Sequence, residues 1–232
     1  MTSKTIEKQG TRDRALAAAE KLFVQLGYDG TSFRAISKLS DVKLGSLVYF
    51  FKTKEELFST LCQERLGAVI NTQTQALENY LNNSDNHPNI NLCDALRIVS
   101  LPVIENCNAM NTSGLYRCLF TDPSPTVISC RLNIYEKNNL LMYKIFRLLT
   151  PHLSDKEFHW RYIASAGTFM AFVIFNEEMT MMRPDEGRKN KYELEMDKAV
   201  EIIANCFGIN SKNESVIFNT PVSPGDEVSE LI

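Results

Sequence analysis

The side chains best suited to a chemical task lie between residues 31 and 54, and their chemistry is the binding of an anionic polymer. Lysine and arginine pair with phosphates, hydroxyl groups bond phosphates or base edges, and glycine lets a backbone approach a partner closely. Helix N-termini near Thr31 and Thr53 would add amide donors for the same anions. The candidate contacts are Thr31, Ser32, Arg34, Lys43, Leu44, Gly45, Ser46, Val48, Tyr49, Lys52 and Lys54.

The distribution of charge supports this interpretation. Residues 1–62 contain ten Lys and Arg against seven Asp and Glu, whereas the remaining residues contain fifteen against twenty-one. A small basic unit on a larger acidic body suits a protein that presents one end to a polyanion. Arg34, Lys38 and Lys54 taken singly would be solvated surface charges, and Tyr49 could instead pack against the first helix.

Catalytic chemistry has little support in the sequence. His87, His152 and His159 do not have the spacing of metal ligands, no glycine-rich phosphate loop follows a strand, and no nucleophile lies beside a candidate base. We therefore expect no enzyme, no cofactor and no metal site. The polar start of the chain and the shortness of its apolar segments predict a cytoplasmic protein without a membrane partner.

The six cysteines form no CxxC pair and have no dense disulfide spacing. We expect reduced thiols in the core of the protein. One alternative is that oxidation of Cys107 and Cys118 alters binding.

Hydrophobic residues at three- and four-residue steps predict helices along most of the chain. A first helix is expected from Thr11 to Gly27, and a short second helix follows Thr31 or Ser32. Thr53 and the glutamate three residues later have the form of a capping box, which predicts the start of a long helix. Downstream, helices are expected over about 126–149, from Ser154 to about Arg183, and over 192–207, before a flexible tail at 211–232.

The segment "DVKLGSLVYFF", residues 41–51, has the composition of a strand, yet no other segment offers it a strand to pair with. As a helix, it places Leu47, Phe50 and Phe51 on one side. The other side carries Gly45, Val48, Tyr49 and Lys52. Two short helices joined by a tight turn, with such an exposed face, have the form of a helix-turn-helix reader of double-stranded DNA.

The stretch "GYDGTSFRAISKLSDVKLGSLVYFFKTKEELF" resembles the DNA-binding region of the TetR/AcrR family of transcriptional regulators. The chain departs from the family pattern at Val48, where members commonly have Tyr, and at Asp41, where many have Gly. The matched residues are Gly27-Tyr28, Thr31-Ser32, Ile36, Val42, Gly45-Ser46-Leu47, Phe51, Lys54 and Glu55-Glu56-Leu57.

The resemblance implies an all-α homodimeric repressor that binds a palindromic operator and is released by a small effector. It implies an N-terminal three-helix helix-turn-helix DNA-binding domain, residues 1–52, with reader helices at about 32–51. A larger C-terminal helical domain, residues 53–210, would bind the ligand and dimerise through its last two helices. An alternative keeps the DNA-binding domain but makes the body a surface for a protein partner.

The body contains candidate residues for both the effector and the dimer. A mostly apolar small molecule would be enclosed by the middle helices, although aromatic residues at helical spacing also make a plain core. Small residues on the helix after Ser154 allow a symmetry mate to pack closely, although a thick monomer core would look the same. The candidates are Tyr116, Arg117, Phe120, Met142, Phe146, His159 and Trp160 for the ligand, and Ala164, Gly167, Ala171, Phe175, Met196, Ala199 and Ile203 for the dimer.

Overall fold

The computed structural model describes residues 3–84, 91–110, 112–174 and 191–208, and every regular element in these ranges is an α-helix. The predicted all-α class is confirmed. The helices are α1 (Ser3–Gly30), α2 (Phe33–Ser40), α3 (Leu44–Phe51), α4 (Lys54–Ser84), α5 (Leu92–Met110), α6 (Ser113–Thr121), α7 (Pro125–Leu149), α8 (Asp155–Ile174) and α9 (Lys191–Cys206). The tail predicted at 211–232 lies outside the described residues.

The first helix is longer than the sequence predicts. It begins at Ser3 rather than at Thr11, which lies inside it. The residues before Thr11 are polar but include good helix formers, and Gln9 bonds Asp13 one turn later at 3.0 Å, so nothing stops the helix there. Near its other end Gly27 has a φ of 72° and a ψ of 177°, a non-helical backbone conformation that is essentially open to glycine only.

Three other predicted helix starts, those at Ser32, Thr53 and Ser154, are confirmed by their side-chain caps. Ser32 Oγ accepts a hydrogen bond from the Ala35 amide at 3.2 Å, and Thr53 Oγ1 accepts one from the Glu56 amide at 3.0 Å. Before α8, Ser154 Oγ accepts a bond from the amide three residues later, at 3.3 Å. Each cap satisfies an amide that has no partner within its own helix.

One hydrophobic core joins the N-terminal helices to the start of the body. The rings of Phe23, Tyr28 and Phe58 contact one another, with centroids between 5.0 and 5.8 Å apart. Leu47 and Phe51 of α3 are buried in the same cluster, which also takes in residues of α4, α6 and α7. The core therefore crosses from the predicted DNA-binding helices into the predicted body.

A second core holds α5, α7, α8 and α9 together. Phe146, Phe158 and Phe207 pack edge to face or tilted in its centre. The described part of α8 ends at Ile174, and its predicted continuation to Arg183 lies outside the described residues. No helix in the described ranges has the length and apolar character needed to cross a bilayer.

Candidate nucleic-acid interface

A tight turn fixes α3 against α2. Asp41 takes up the left-handed conformation, with a φ of 53°, which explains how it can stand where the family often has glycine. The Ser37 hydroxyl donates a hydrogen bond to the Val42 carbonyl at 2.6 Å, and the Val42 side chain is buried. These contacts hold α3 in one orientation on the N-terminal core.

The orientation of α3 divides its residues as the helical period predicts. Leu47 and Phe51 are buried, whereas Leu44, Val48 and Tyr49 are exposed, Tyr49 to 68%. Gly45 is also exposed, and no atom lies within 4 Å of the position that a Cβ would occupy there. The chain's own packing therefore does not require glycine at position 45.

Exposed cations surround this face. Arg34 on α2 and Lys43 before α3 are exposed, and neither forms an ion pair with any described residue. Lys52, just after α3, has its Nζ 3.9 Å from Glu56 Oε1, a loose and solvated contact. Of the two serines among the candidate contacts, Ser32 is exposed and Ser46 is half-buried.

Two of the candidate contacts are instead engaged inside the chain. Thr31 is only 2% exposed, and its hydroxyl donates to the Gly27 carbonyl at 2.8 Å. Lys54 Nζ donates to the carbonyls of Tyr28 and Thr31 at 2.9 and 3.2 Å, and lies 4.1 Å from the centroid of the Tyr28 ring. We remove Thr31 from the candidate contacts and assign Lys54 a positioning role, in which it ties α4 to the end of α1.

The end of α1 is also tied to the loop after α6. The Tyr28 amide donates to Asp122 Oδ2 at 2.7 Å, and the Ser124 amide donates to Asp122 Oδ1 at 2.9 Å. Burial raises the pKa of Tyr28, so its hydroxyl remains protonated at neutral pH. Further along, α6 lies so close to α1 that a Cβ on Gly114 would be 2.7 Å from a methyl carbon of Val24. The sequence did not predict these contacts of α1 with α6 and the loop after it, because the partners are far apart in the chain.

A cavity of about 160 Å³ lies in the body between α4, α5, α6, α7 and α8. Four of the predicted ligand residues line it: Tyr116, Phe120, Met142 and Phe146. The described lining residues are Gln73, Leu96, Val99, Ser100, Val103, Tyr116, Phe120, Tyr135, Asn138, Asn139, Met142, Phe146, Tyr162, Ser165, Ala166, Phe169 and Met170.

The other three ligand candidates do not line the cavity. Phe158 and Tyr162 are four residues apart and lie on the inner side of α8. The two residues that follow Phe158 therefore lie on the outer side of the helix. His159 is accordingly exposed, and Trp160 is 62% exposed. Arg117 is half-buried on α6, outside the lining. Gln73 and Asn138 were missed by sequence reasoning, because a buried amide carries no sequence signal of its own.

Comparison with known proteins finds a family that is similar to the N-terminal helices. Residues 15–61 match the sequence model of bacterial regulatory proteins of the tetR family. This part of the chain is similar to the tetR family. The match includes all of α2 and α3 and the first turns of α4, so it covers the interface described above.

Curated transcriptional regulators are similar to part of the chain. The chain is 47% identical over 47 residues to the HTH-type transcriptional regulator QacR of Staphylococcus aureus, which is 20% of this chain and 25% of that protein. It is 36% identical over 72 residues to the probable HTH-type transcriptional regulator YttP of Bacillus subtilis, which is 31% of this chain and 35% of that protein. The match therefore spans between a quarter and about a third of these relatives.

Solved tetR-type structures share the fold over most of the chain. The fatty acid degradation regulator FadR of Bacillus halodurans superposes with a TM-score of 0.58 at 13% identity, covering 82% of this chain and 96% of that one. A tetR-family regulatory protein from Rhodococcus RHA1 gives a TM-score of 0.56 at 18% identity, with coverage of 86% and 97%. These likenesses extend the tetR fold into the body.

The residues predicted from sequence for a dimer interface do not share one surface. Ala164 and Gly167 are exposed on α8 and Ala171 is half-buried, so the small-residue stripe does face outward. Ala199 and Ile203 are instead buried inside this chain, Ile203 in the second core, and we withdraw them from the predicted dimer surface. Large apolar side chains that the prediction missed are exposed on the same two helices: Trp160, Ile163 and Ile202. Phe175 and the Met196 side chain lie outside the described residues.

The described cysteines are buried or half-buried. Burial raises the pKa of Cys118 to about 12, so little of the reactive thiolate forms at neutral pH. A hydrogen bond from Cys62 to Cys130 raises the pKa of Cys62 and lowers that of Cys130. The side chain of Cys107, the other half of the predicted oxidation pair, lies outside the described residues.

Proposed function

We propose that this protein is a cytoplasmic transcriptional regulator that binds a palindromic operator as a homodimer, represses transcription, and leaves the DNA when a small, mostly apolar molecule enters the body. Residues 1–52 form the reading unit in this proposal, and residues 53–210 form the body. The observation that carries the proposal is the exposed outer face of α3, where Gly45, Val48 and Tyr49 lie between exposed cations.

In this proposal α3 enters the major groove of the duplex. Because Gly45 has no side chain, the backbone atoms of α3 can approach the base edges or phosphates closely there. Ser46 and Tyr49 would contact bases, while Arg34, Lys43 and Lys52 would pair with phosphates on either side. Two copies of α3 in a dimer would read half-sites roughly 34–36 Å apart, or a multiple of that spacing.

Helix α6 supplies a route from the cavity to the reading helices. Its Tyr116 and Phe120 line the cavity, and its Gly114 packs against Val24 of α1. The loop after it holds the end of α1 through Asp122. In this proposal α6 has two positions, and α1 and α3 follow it from one to the other. A ligand that binds one position more tightly shifts the equilibrium towards that position, and the ratio of its two affinities sets the size of the shift.

The alternative function, in which the body binds a protein partner, has less support. A body that serves only as a protein surface needs no internal space, because its apolar side chains would fill the core at native density. The cavity between α4 and α8 is such a space, and aromatic rings and a few polar groups line it, as is typical of small-molecule sites.

The proposal is tested by selecting duplexes from a random pool with the full-length protein, then measuring affinity against salt concentration. We expect one enriched inverted repeat, and a reporter preceded by that repeat should be less active when the protein is present. Tyr49→Ala and Ser46→Ala should change the order of preference among related duplexes, whereas Lys43→Met should weaken all of them similarly. A pool without enrichment, or an unchanged preference in both base-contact variants, would contradict the proposal.

A further inference from the structure

We propose that the cavity in the body selects an uncharged ligand with a small apolar body and one head group that both donates and accepts a hydrogen bond, such as a carboxamide. Gln73 and Asn138 would hold this head group. The inference rests on the proposed function only in taking the cavity as the effector site.

The first observation is the orientation of Gln73 on α4. This residue is 1% exposed and lines the cavity. Its Nε2 donates a hydrogen bond to the Val99 carbonyl of α5, which fixes the amide, because an oxygen in that place would face another oxygen. Oε1 therefore points the other way, and it has no hydrogen-bond partner among the described residues. It is a buried acceptor that a donor on a ligand would satisfy.

The second observation is the matching donor on α7. Asn138 is 4% exposed, lines the same cavity, and its Nδ2 has no partner in the described part of the chain. Buried polar atoms in folded proteins are nearly always paired, so one unpaired amide atom on each of two residues that line the same cavity indicates a missing partner. An acceptor and a donor together match the NH₂ and C=O of a carboxamide.

The third observation is the neutrality of the wall. The described lining residues include no Lys, Arg, His, Asp or Glu. Burial raises the pKa of Tyr162, also in the wall, to about 12, so this phenol stays uncharged at neutral pH. A carboxylate or an ammonium group in the cavity would lose its hydration without gaining a counter-charge. Charged ligands of the same shape are therefore excluded.

The remaining wall limits the size and the position of the ligand. The hydroxyls of Ser100 and Ser165 already donate to backbone carbonyls of their own helices, at 2.6 and 2.7 Å. The rest of the lining is mainly aromatic and aliphatic. A cavity of about 150 Å³ holds one benzene ring, so a single ring or a short chain fits beside the head group.

The experiment is calorimetric titration of the full chain with four probes of similar shape: benzamide, acetophenone, benzoate and toluene. We expect benzamide to bind roughly tenfold more tightly than acetophenone, which lacks the donor, and more tightly still than toluene. Benzoate should not bind at neutral pH. Toluene binding as tightly as benzamide, benzoate binding more tightly, or no binding of benzamide at millimolar concentration would each overturn the inference.

Variants locate the head group. Gln73→Leu and Asn138→Leu should each weaken benzamide binding roughly tenfold while leaving toluene binding unchanged, because only the polar contact is lost. Asn139→Leu is the matched control, since Asn139 is the next residue on α7, lines the cavity and is exposed. It should leave benzamide affinity unaltered, and a loss in this variant equal to the other two would also overturn the assignment. Affinity for the selected duplex, measured without any probe, reports on the proposed function separately.

Discussion

At the scale of single residues, Gly45 is a position where folding and DNA binding are expected to favour different residues. Glycine weakens a helix, and the open space around Gly45 shows that the fold gains nothing in return. We predict that Gly45→Ala raises the free energy of unfolding by a few tenths to about 1 kcal/mol and weakens binding to the selected duplex roughly tenfold. Urea unfolding and fluorescence anisotropy with labelled duplex measure the two effects.

The control for this variant is Gly10→Ala. Gly10 is also an exposed helical glycine, on α1, and no atom lies within 4 Å of a Cβ built there. It should give a similar gain in stability with no change in DNA affinity. If Gly45→Ala bound DNA as the wild type does, close approach of the α3 backbone would not be part of recognition.

Lys54 illustrates a cation whose place is set by the fold. As the first residue of α4 it lies at the positive end of a helix, where a cation is disfavoured, and the carbonyls of Tyr28 and Thr31 offset this cost. We predict that Lys54→Met lowers the free energy of unfolding by about 1–3 kcal/mol, because charged hydrogen bonds to partly buried carbonyls are lost. Chemical denaturation measures the change, and the salt dependence of DNA binding should stay close to that of the wild type.

Lys43→Met is the matched comparison for Lys54→Met. Lys43 is exposed and forms no ion pair with described residues, so its loss should change stability by less than about 0.5 kcal/mol. It should reduce the slope of log affinity against log salt by about 1. The opposite result, a salt effect in Lys54→Met and a stability effect in Lys43→Met, would reverse the two assignments.

These residues also show what the sequence could predict at the interface. Helical periodicity correctly divided α3 into a buried side with Leu47 and Phe51 and an exposed side with Val48 and Tyr49. It could not predict the position of Lys54 Nζ, because the carbonyls that bind it are 23 and 26 residues away in sequence. Local pattern determines which face of a helix is apolar, whereas a long side chain follows partners that only the folded chain brings close.

At the scale of elements, the contact between α1 and α6 can be tested as a pair. We predict that Gly114→Ala destabilises the protein by about 1–3 kcal/mol, because its Cβ would meet a Val24 methyl carbon at 2.7 Å and branched valine has little freedom to move away. Val24→Ala removes that methyl group. Equilibrium unfolding of both single variants and the double variant gives the coupling energy.

The double variant is the control for the pair. If the clash is local, Gly114→Ala should cost much less in the Val24→Ala background, with a coupling of about 0.5–3 kcal/mol. Additive effects would mean that α6 does not rest on Val24. In that case the contact of Gly114 with Val24 would not be one of the connections between α6 and α1, and the bond between Asp122 and Tyr28 would remain.

The helices of the body show why element type is easier to predict than element orientation. The apolar stretch in α8 was correctly predicted to be helical, but a helix that is apolar on most sides does not reveal which side faces its own chain. The structure turns Phe158 and Tyr162 inward and Trp160 outward. The same uncertainty about which side of α9 faces inward placed Ala199 and Ile203 on the outside, although both are buried and Ile203 packs within the second core.

At the scale of the whole molecule, the exposed apolar side chains of α8 and α9 are where a second copy would pack. Trp160, Ile163 and Ile202 stand exposed near the small residues of α8, and burying such side chains between two chains is the usual source of dimer stability. We predict that Ile163→Glu makes the protein a monomer at micromolar concentration in sedimentation analysis. Its affinity for the full inverted repeat should fall by roughly two orders of magnitude, because the second half-site no longer binds as part of one assembly.

Affinity for a single half-site should persist in Ile163→Glu, since α3 and its cations are untouched. Leu140→Glu is the matched control, because Leu140 is an apolar residue of the same size on α7, outside the predicted dimer helices, and is even more exposed than Ile163. This variant should sediment as the wild type does and bind the full repeat normally. If Leu140→Glu dissociated the dimer and Ile163→Glu did not, the two chains would meet through α7, and the spacing of the two reading helices would have to be derived from that arrangement instead.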